Sequence, residues 1–432
     1  PSKAGLPLVD TLTTLRNWVP MHGSAAKIMK DYSENEAYKE LEKRTNVKIE
    51  FIHPSSGQAQ EQFNLMIASK DLPDMISQYT TTYPGGVDKA IDDDIYLRLN
   101  ELVDKYALNY KKLRASNLEI ARQTMTDKGN IWSFPCIQTT EEMPWWGIMV
   151  RKDWLDDINH EVPETIDEWY TVLTEFKNKK SSMAPLMFPK AGYDWGGSFI
   201  SAFNIGSDFY MVDKVVKYAP IEPGYKEYIS TILKWFEEGL IDKDFATRDE
   251  KSSEAMITSG KSGAFIGAYE AVPLYGGVIK SNDPKGELVP APYPSLKKGE
   301  KVHFRQKDEF HKGCDTIITT ACKQPELAVR WLDYAYGDDG ALLFNWGIED
   351  LSYKMVNGKP QFTDLILNNP DGLAYSITGW KYKLHMGPYK RDWKAYPFTP
   401  TIEKCMEVWY EAGADYVLPP TKLTDEESRK YS

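Results

Sequence analysis

From Thr11 to Tyr79 the hydrophobic pattern switches repeatedly between two periods, and this restricts the fold more than any other feature. "TLTTLRNWVP" (11–20) is a β-branched run closed by Pro20, which reads as a strand opening into a loop that carries Trp18 and His22. In "SENEAYKELEKRTNVKIEFIHP" (33–54) a helix places Ala37, Tyr38 and Leu41 on one face, with Asn46 as a left-handed cap. The alternating strand "VKIEFI" follows. "SGQAQEQFNLMIAS" (56–69) is a second helix, with Phe63, Met66 and Ile67 at helical spacing, and "DMISQY" is a third strand. Strand, helix, strand, helix, strand is the pattern of a parallel sheet covered by its crossover helices.

The chain's 432 residues exceed one ordinary domain and predict two or three. A 42% hydrophobic content supplies real cores, and a net charge of −11 leaves no basic stripe for a nucleic acid. Aromatic residues reach 13%, a surplus that favours a site for flat apolar faces such as sugar rings. Cys136, Cys314, Cys322 and Cys405 are too scattered for a disulfide framework and form no CxxC pair. They read as buried thiols with room for one bridge. No apolar run is long enough to span a membrane. The start, "PSKAGLPLVD", lacks an apolar signal core and reads as a mature or trimmed terminus.

Further along, "IWSFP" and "WGIMVRK" read as strands around Pro144, Trp145 and Trp146. "ETIDEWYTVLTEFKNKK" (164–180) is a helix opened by a Thr165/Glu168 capping box, and "PGYKEYISTILKWFEEGLIDKDF" (223–245) is another, stopped by Gly239. "GAFIGAY" is a buried strand, and the proline-rich "GELVPAPYPSLKKGEK" (286–301) reads as a passage between domains. Trp169, Trp235 and Trp331 lie on amphipathic stripes and are expected in cores.

Taken in order, "LEKRTNVKIEFIHP", "FNLMIASKDLPDMI", "YPGGVDKAIDDDIYLRLNELVDKY" and "GNIWSFP" resemble the N-terminal lobe of bacterial extracellular solute-binding proteins of ABC importers, relatives of the maltose-binding protein. "VRKDWLDDI", "PETIDEWYTVLTEFK", "KWFEEGLIDKDFAT", "ITSGKSGAF" and "NWGIEDLSY" resemble the LipO-like lipoprotein branch of Firmicutes. Ser69, Lys70, Asp71, Pro73 and Asp74 fill the family's helix-to-strand pattern, with Lys70 where glycine is usual. The resemblance covers nearly the whole chain. It implies an α/β, two-lobe periplasmic-binding-protein-like fold (type II), each lobe a mostly parallel sheet flanked by helices, with a ligand cleft at the hinge. It also implies crossings near Pro135, near Pro290 and after Tyr336, giving lobes of 1–135 with 292–338 and 137–290 with 340–432.

The chemistry of catalysis finds little support. Asp71 and Asp74 could be an acid and base, but Pro73 between them reads as punctuation that ends a helix and begins a strand. "DDD" (92–94) lacks the spacing of a calcium loop, and "GKSG" (260–263) fails the P-loop spacing. No HExxH, His–Cys cluster or GxSxG motif occurs, so neither a metal, a cofactor nor an enzyme is expected.

Aromatic residues placed in loops carry the binding expectation: Trp18, Tyr79, Tyr83, Trp145, Trp146, Trp195, Tyr269 and Trp346. Each competes with ordinary packing; as a set, several should stack on sugar faces. Their polar partners are expected to be Gln58, Asp194, Glu270, Arg305 and Glu349, with a surface salt bridge as the competing reading of Arg305. The expected function is extracellular capture of a carbohydrate, an oligosaccharide first, for delivery to an ABC permease. The expected partners are that solute and the permease, with no nucleic acid, the chain being monomeric. The resemblance implies a lipid anchor on the outer face of the membrane, its signal segment and lipidated cysteine lying outside this chain. A peptide or other small polar solute is the alternative ligand, and a secreted glycoside hydrolase with two carboxylates across a cleft is the rival class.

Overall fold

Two four-stranded sheets organise the chain. The computed structural model describes residues 5–78, 82–141, 143–180, 182–370, 375–384, 387–392 and 398–419. In the first sheet, Thr13–Trp18 lies parallel between Val47–Ile52 and Met75–Gln78, with Thr13 opposite Val47 and Asn17 opposite Met75. Asp315–Ile318 joins Met75–Gln78 from the other side, antiparallel. The helices Glu36–Thr45 and Ala59–Ser69 are the crossovers that the alternating periods require. Asn46 ends the first at φ 60°, and Lys70 ends the second at φ 55°. A lysine thus occupies a left-handed position at a cost of about 1–2 kcal/mol.

The acid pair is structural. Oδ2 of Asp74 accepts the backbone N–H of Arg16 at 2.8 Å, which ties the start of one strand to its neighbour. The Thr319 amide donates to the Asp74 carbonyl at 3.0 Å, while Asp71 is exposed.

The second sheet runs in the order Leu288–Ala291, Trp146–Arg151, Ala264–Ala268, Leu186–Met187. Only Ala264–Ala268 and Leu186–Met187 pair in parallel; Trp146–Arg151 is antiparallel to both of its neighbours. This sheet is mixed rather than mostly parallel, because apolar runs reveal where strands are but not which way they run. Its core sits under the helix Ile166–Lys179, whose capping box is present: Thr165 Oγ1 accepts from the Glu168 amide, and Glu168 accepts from the Thr165 amide. Such a cap contributes about 1 kcal/mol. Phe199 meets Trp169 and Trp235 edge-on at 5.3 and 5.2 Å, and both tryptophans are fully buried. Trp331 is buried in the first core, and all four cysteines are buried free thiols.

The chain divides into two compact units, Pro1–Glu141 with Glu309–Pro397 and Pro420–Ser432, and Glu142–Asp308 with Phe398–Pro419. This differs from the expected segments at 292–308, which stays with the second unit, and at 340–397, which joins the first. Pairing explains both. Tyr293 donates to the Trp146 carbonyl at 2.5 Å, so the proline-rich segment packs where it was expected to cross. Lys390–Arg391 pairs with Ile137–Gln138, which holds the later segment in the first unit. "IWSFP" is not a strand; Phe134 makes one isolated bridge to Thr316. Among the described residues no helix is long and apolar enough to cross a membrane.

Candidate functional site

Among the described residues of the first unit, the expected site residues fall into two separate cores and the surface. Trp18 is 4% exposed and packs at 5.9 Å on Phe63, so it belongs to the core. An apolar strand end can be covered by a neighbouring helix, and here Ala59–Ser69 supplies Phe63. Tyr83 packs against the same cluster and donates to Asp93 at 2.6 Å, so its hydroxyl is engaged. Burial first, then the Asp93 carboxylate, raises its pKa. Gln58 is exposed and its Oε1 accepts from Gln62 one helical turn away. Trp346 is also 4% exposed, with its ring 4.6 Å from Phe362 in a small core. Glu349 is exposed and lines a cavity of about 700 Å³ with Arg44, Asp339 and Tyr353. Tyr79 lies outside the described residues.

The second unit is different. Trp145, Trp146 and Trp195 form a three-ring cluster, with centroids 5.8 Å apart for Trp145–Trp146, 6.5 Å for Trp145–Trp195 and 5.4 Å for Trp146–Trp195. All three pairs are tilted or edge-on, the arrangement that the ring quadrupoles favour. Trp195 is 43% exposed, an expensive placement for a large apolar ring unless something covers it.

Backbone geometry holds the cluster. Trp146 begins the Trp146–Arg151 strand, and the Tyr269 amide donates to the Trp145 carbonyl at 3.0 Å beside the paired residues Trp146 and Ala268. The glycines around Trp195 allow close approach. A Cβ on Gly196 would lie 2.5 Å from the Arg305 carbonyl carbon, and one on Gly197 (φ +100°) would lie 2.5 Å from the Trp146 oxygen. "GYDWGGS" therefore presents Trp195 on a turn pressed against the strand.

Polar groups frame the rings. Nε1–H of Trp145 donates to Oδ2 of Asp308 at 2.9 Å, and its backbone N–H donates to Oε1 of Gln306 at 3.0 Å. Nε2 of Gln306 completes the triangle by donating to Oδ1 of Asp308. Asp194 is half-buried; burial, then the nearby Asp208 charge, pushes its carboxyl above the usual aspartate range. The phenols of Tyr225 and Tyr228 feel the Asp194 charge, and the Tyr193 and Tyr225 hydroxyls lie 3.1 Å apart. The indole N–H of Trp146 is buried, without an acceptor among the described residues, a cost of about 1–3 kcal/mol.

Arg305 corrects an expectation. It is 5% exposed, donates to the Gln306 carbonyl at 3.0 Å and lies 4.4 Å over the Tyr410 ring, so it is buried rather than held in a surface salt bridge. Tyr269 is likewise buried, edge-on to Phe398 at 5.6 Å, and Glu270 is exposed at the start of the helix Ala271–Asn282. Sequence reasoning missed Gln306 and Asp308, for which "FRQKDEF" carries no motif, and Tyr293, hidden in a segment read as a linker. Among the described residues no group of three His, Cys, Asp or Glu side chains stands together as a metal site.

The sequence matches the model of the bacterial extracellular solute-binding proteins over residues 26–342. It is 28% identical over 356 residues to the fructooligosaccharide ABC transporter substrate-binding protein FusA of Streptococcus pneumoniae, covering 76% of this chain and 62% of FusA. The chain thus spans less than two thirds of that relative. Lipoprotein LipO of Bacillus subtilis is 24% identical over 358 residues, covering 79% of this chain and 68% of LipO. In three dimensions the alginate-binding protein AlgQ2 superposes with a TM-score of 0.78 at 26% identity, over 98% of this chain and 88% of AlgQ2.

Proposed function

The chain belongs to the bacterial extracellular solute-binding proteins and has their two-lobe, type II fold, and from that premise we propose that it captures a carbohydrate, an oligosaccharide, for an ABC permease. The observation that carries this reading is the cluster of Trp145, Trp146 and Trp195, which leaves the Trp195 ring 43% exposed beside the half-buried carboxylates Asp194 and Asp308. Sugar rings pair an apolar C–H face with a rim of hydroxyls. An exposed indole takes the face, and neighbouring carboxylates take the hydroxyls. The named ligands of relatives support the same class: fructooligosaccharide for FusA and alginate for AlgQ2.

Capture requires no bond to be broken, so the protein is a binder rather than an enzyme. Asp194 and Asp308 serve as acceptors: Asp308 is engaged by Trp145 and Gln306, and Asp194 stands with Tyr225 and Tyr228. The protein works outside the cell, held to the membrane by a lipid, and acts as a monomer. Calorimetric titration with neutral and acidic oligosaccharides, short peptides and amino acids tests the class, with chromatography of the mixtures for cleavage. Saturable heat from a sugar with the sugar intact supports the proposal. Heat from peptides alone, or cleavage products, overturns it.

A further inference from the structure

Close to the points where the chain leaves and re-enters the first unit, three of its segments are bonded side by side. Ile137–Gln138 pairs in parallel with Lys390–Arg391, and the Thr139 N–H donates to the Arg391 carbonyl at 2.8 Å. On the other side Ile137 bridges His311, and the backbone N–H of Gln138 donates to the Phe310 carbonyl at 2.8 Å. The first unit breaks off at Glu141 and resumes at Glu309, so the middle strand and one of its flanks each lie within a few residues of a change of unit. The backbone of that strand is held from both sides.

The Gln138 side chain is not held. It is 1% exposed, and neither its Nε2 nor its Oε1 has a partner among the described residues. No other buried side-chain amide among them is left unpaired at both ends. Gln123, bonded to the same flanking segment, shows the ordinary arrangement: its Oε1 accepts the His311 N–H at 2.9 Å, and its Nε2 donates to Oε2 of Glu309 at 2.9 Å. Gln306 likewise has both ends engaged. The unpaired core indoles of Trp169 and Trp331 each forgo one bond, whereas an amide has two donors and two acceptor sites to fill.

A buried polar group without a partner weighs roughly tenfold or more against the conformation that contains it. In a two-lobe fold the segments that pass between lobes change their surroundings when the lobes move, so a group placed there can be unpaired in one state and paired in the other. Resting on the carbohydrate reading, we infer that Gln138 is a positioning residue for capture. Its amide is unpaired in the arrangement described above, which the free protein holds, and paired in the sugar-bound one, so it draws the protein towards the bound state. It acts through the strand that carries it and needs no contact with the sugar.

Gln138→Met keeps the length of the side chain and removes the amide. Thermal melts of the full chain without sugar, and calorimetric titration with whichever of kestose, maltotriose and trigalacturonate binds the wild type, test the inference. The expected result is a variant that melts higher than the wild type and binds the sugar about tenfold or more weakly. The two changes have opposite signs because the substitution relieves the free state and deprives the bound one. A lower melting temperature, as from an amide that serves folding or is held by ordered water, overturns the inference. An unchanged affinity overturns it as well. Should Gln138→Met fail to fold, Gln138→Leu gives the same two readings. If the wild type and the variant bind sugar equally, the carbohydrate reading stands and only the role of Gln138 falls. If no sugar binds the wild type, the carbohydrate reading falls and takes that role with it.

Discussion

The indole N–H of Trp145 donates to Oδ2 of Asp308 at 2.9 Å, joining the residue before the Trp146–Arg151 strand to the end of the second unit's long segment. This bond fixes the plane of one ring and holds a carboxylate beside it. Trp145→Phe keeps the ring and removes the donor, while Gln306 still serves Asp308. A loss of about 1 kcal/mol in urea unfolding is expected, since a bond to a charged, half-exposed group is only partly replaced by water.

Two tryptophans that sequence treated alike should separate cleanly. Trp195 is 43% exposed, so Trp195→Ala should change stability by less than about 1 kcal/mol and weaken sugar binding about tenfold. Trp346 is 4% exposed against Phe362, so Trp346→Ala should lose about 3–5 kcal/mol of stability. Thermal melts with and without sugar distinguish the two outcomes.

Asp194 should contribute to binding at the expense of folding. Burial, reinforced by Asp208, raises its folded pKa above the ordinary 3.8, with Tyr193, Tyr225 and Tyr228 around it. An acid with a raised folded pKa keeps its proton longer in the folded state. Stability is therefore greatest below the unfolded value and falls as pH rises through the folded one. Asp194→Asn should melt higher than the wild type at pH 7, with the difference shrinking towards pH 3. Equal melting temperatures at both pH values would contradict this.

Asp242 behaves in the opposite sense. Burial opposes its ionisation, but the Arg248 guanidinium, reaching both carboxylate oxygens, and the Asp244 amide outweigh it and hold its pKa below 3.8. The stability it adds is present above that value and is lost as pH falls through the folded pKa. Arg248→Ala leaves a 4%-exposed carboxylate without its partner and should cost about 3 kcal/mol, read by urea unfolding at pH 7. At low pH, where Asp242 is protonated, the deficit should largely vanish.

The parts of the fold legible in the sequence were those with local causes. The left-handed cap at Asn46 and the Thr165/Glu168 capping box each declare themselves within a few residues. Strand direction in the second sheet did not, because Trp146–Arg151 takes its partners from distant segments. The stretch 286–301 was read as a passage between domains for its prolines, yet Tyr293 within it bonds to Trp146 across 147 positions. Trp145, Trp146 and Trp195 were legible as a loop surplus of tryptophan, and the structure brings their rings together with centroids 5.4 to 6.5 Å apart. Trp18 and Trp346 carried the same surface signal and are core, because periodicity cannot tell a ring that packs inward from one that waits for a ligand.

The most direct test is a pair of calorimetric titrations with a neutral oligosaccharide, on the wild type and on Trp195→Ala, after melts have shown both to be folded. Saturable binding by the wild type, weakened about tenfold in the variant, is the predicted result. Equal affinity for the two proteins would remove the tryptophan cluster from the site and contradict the account.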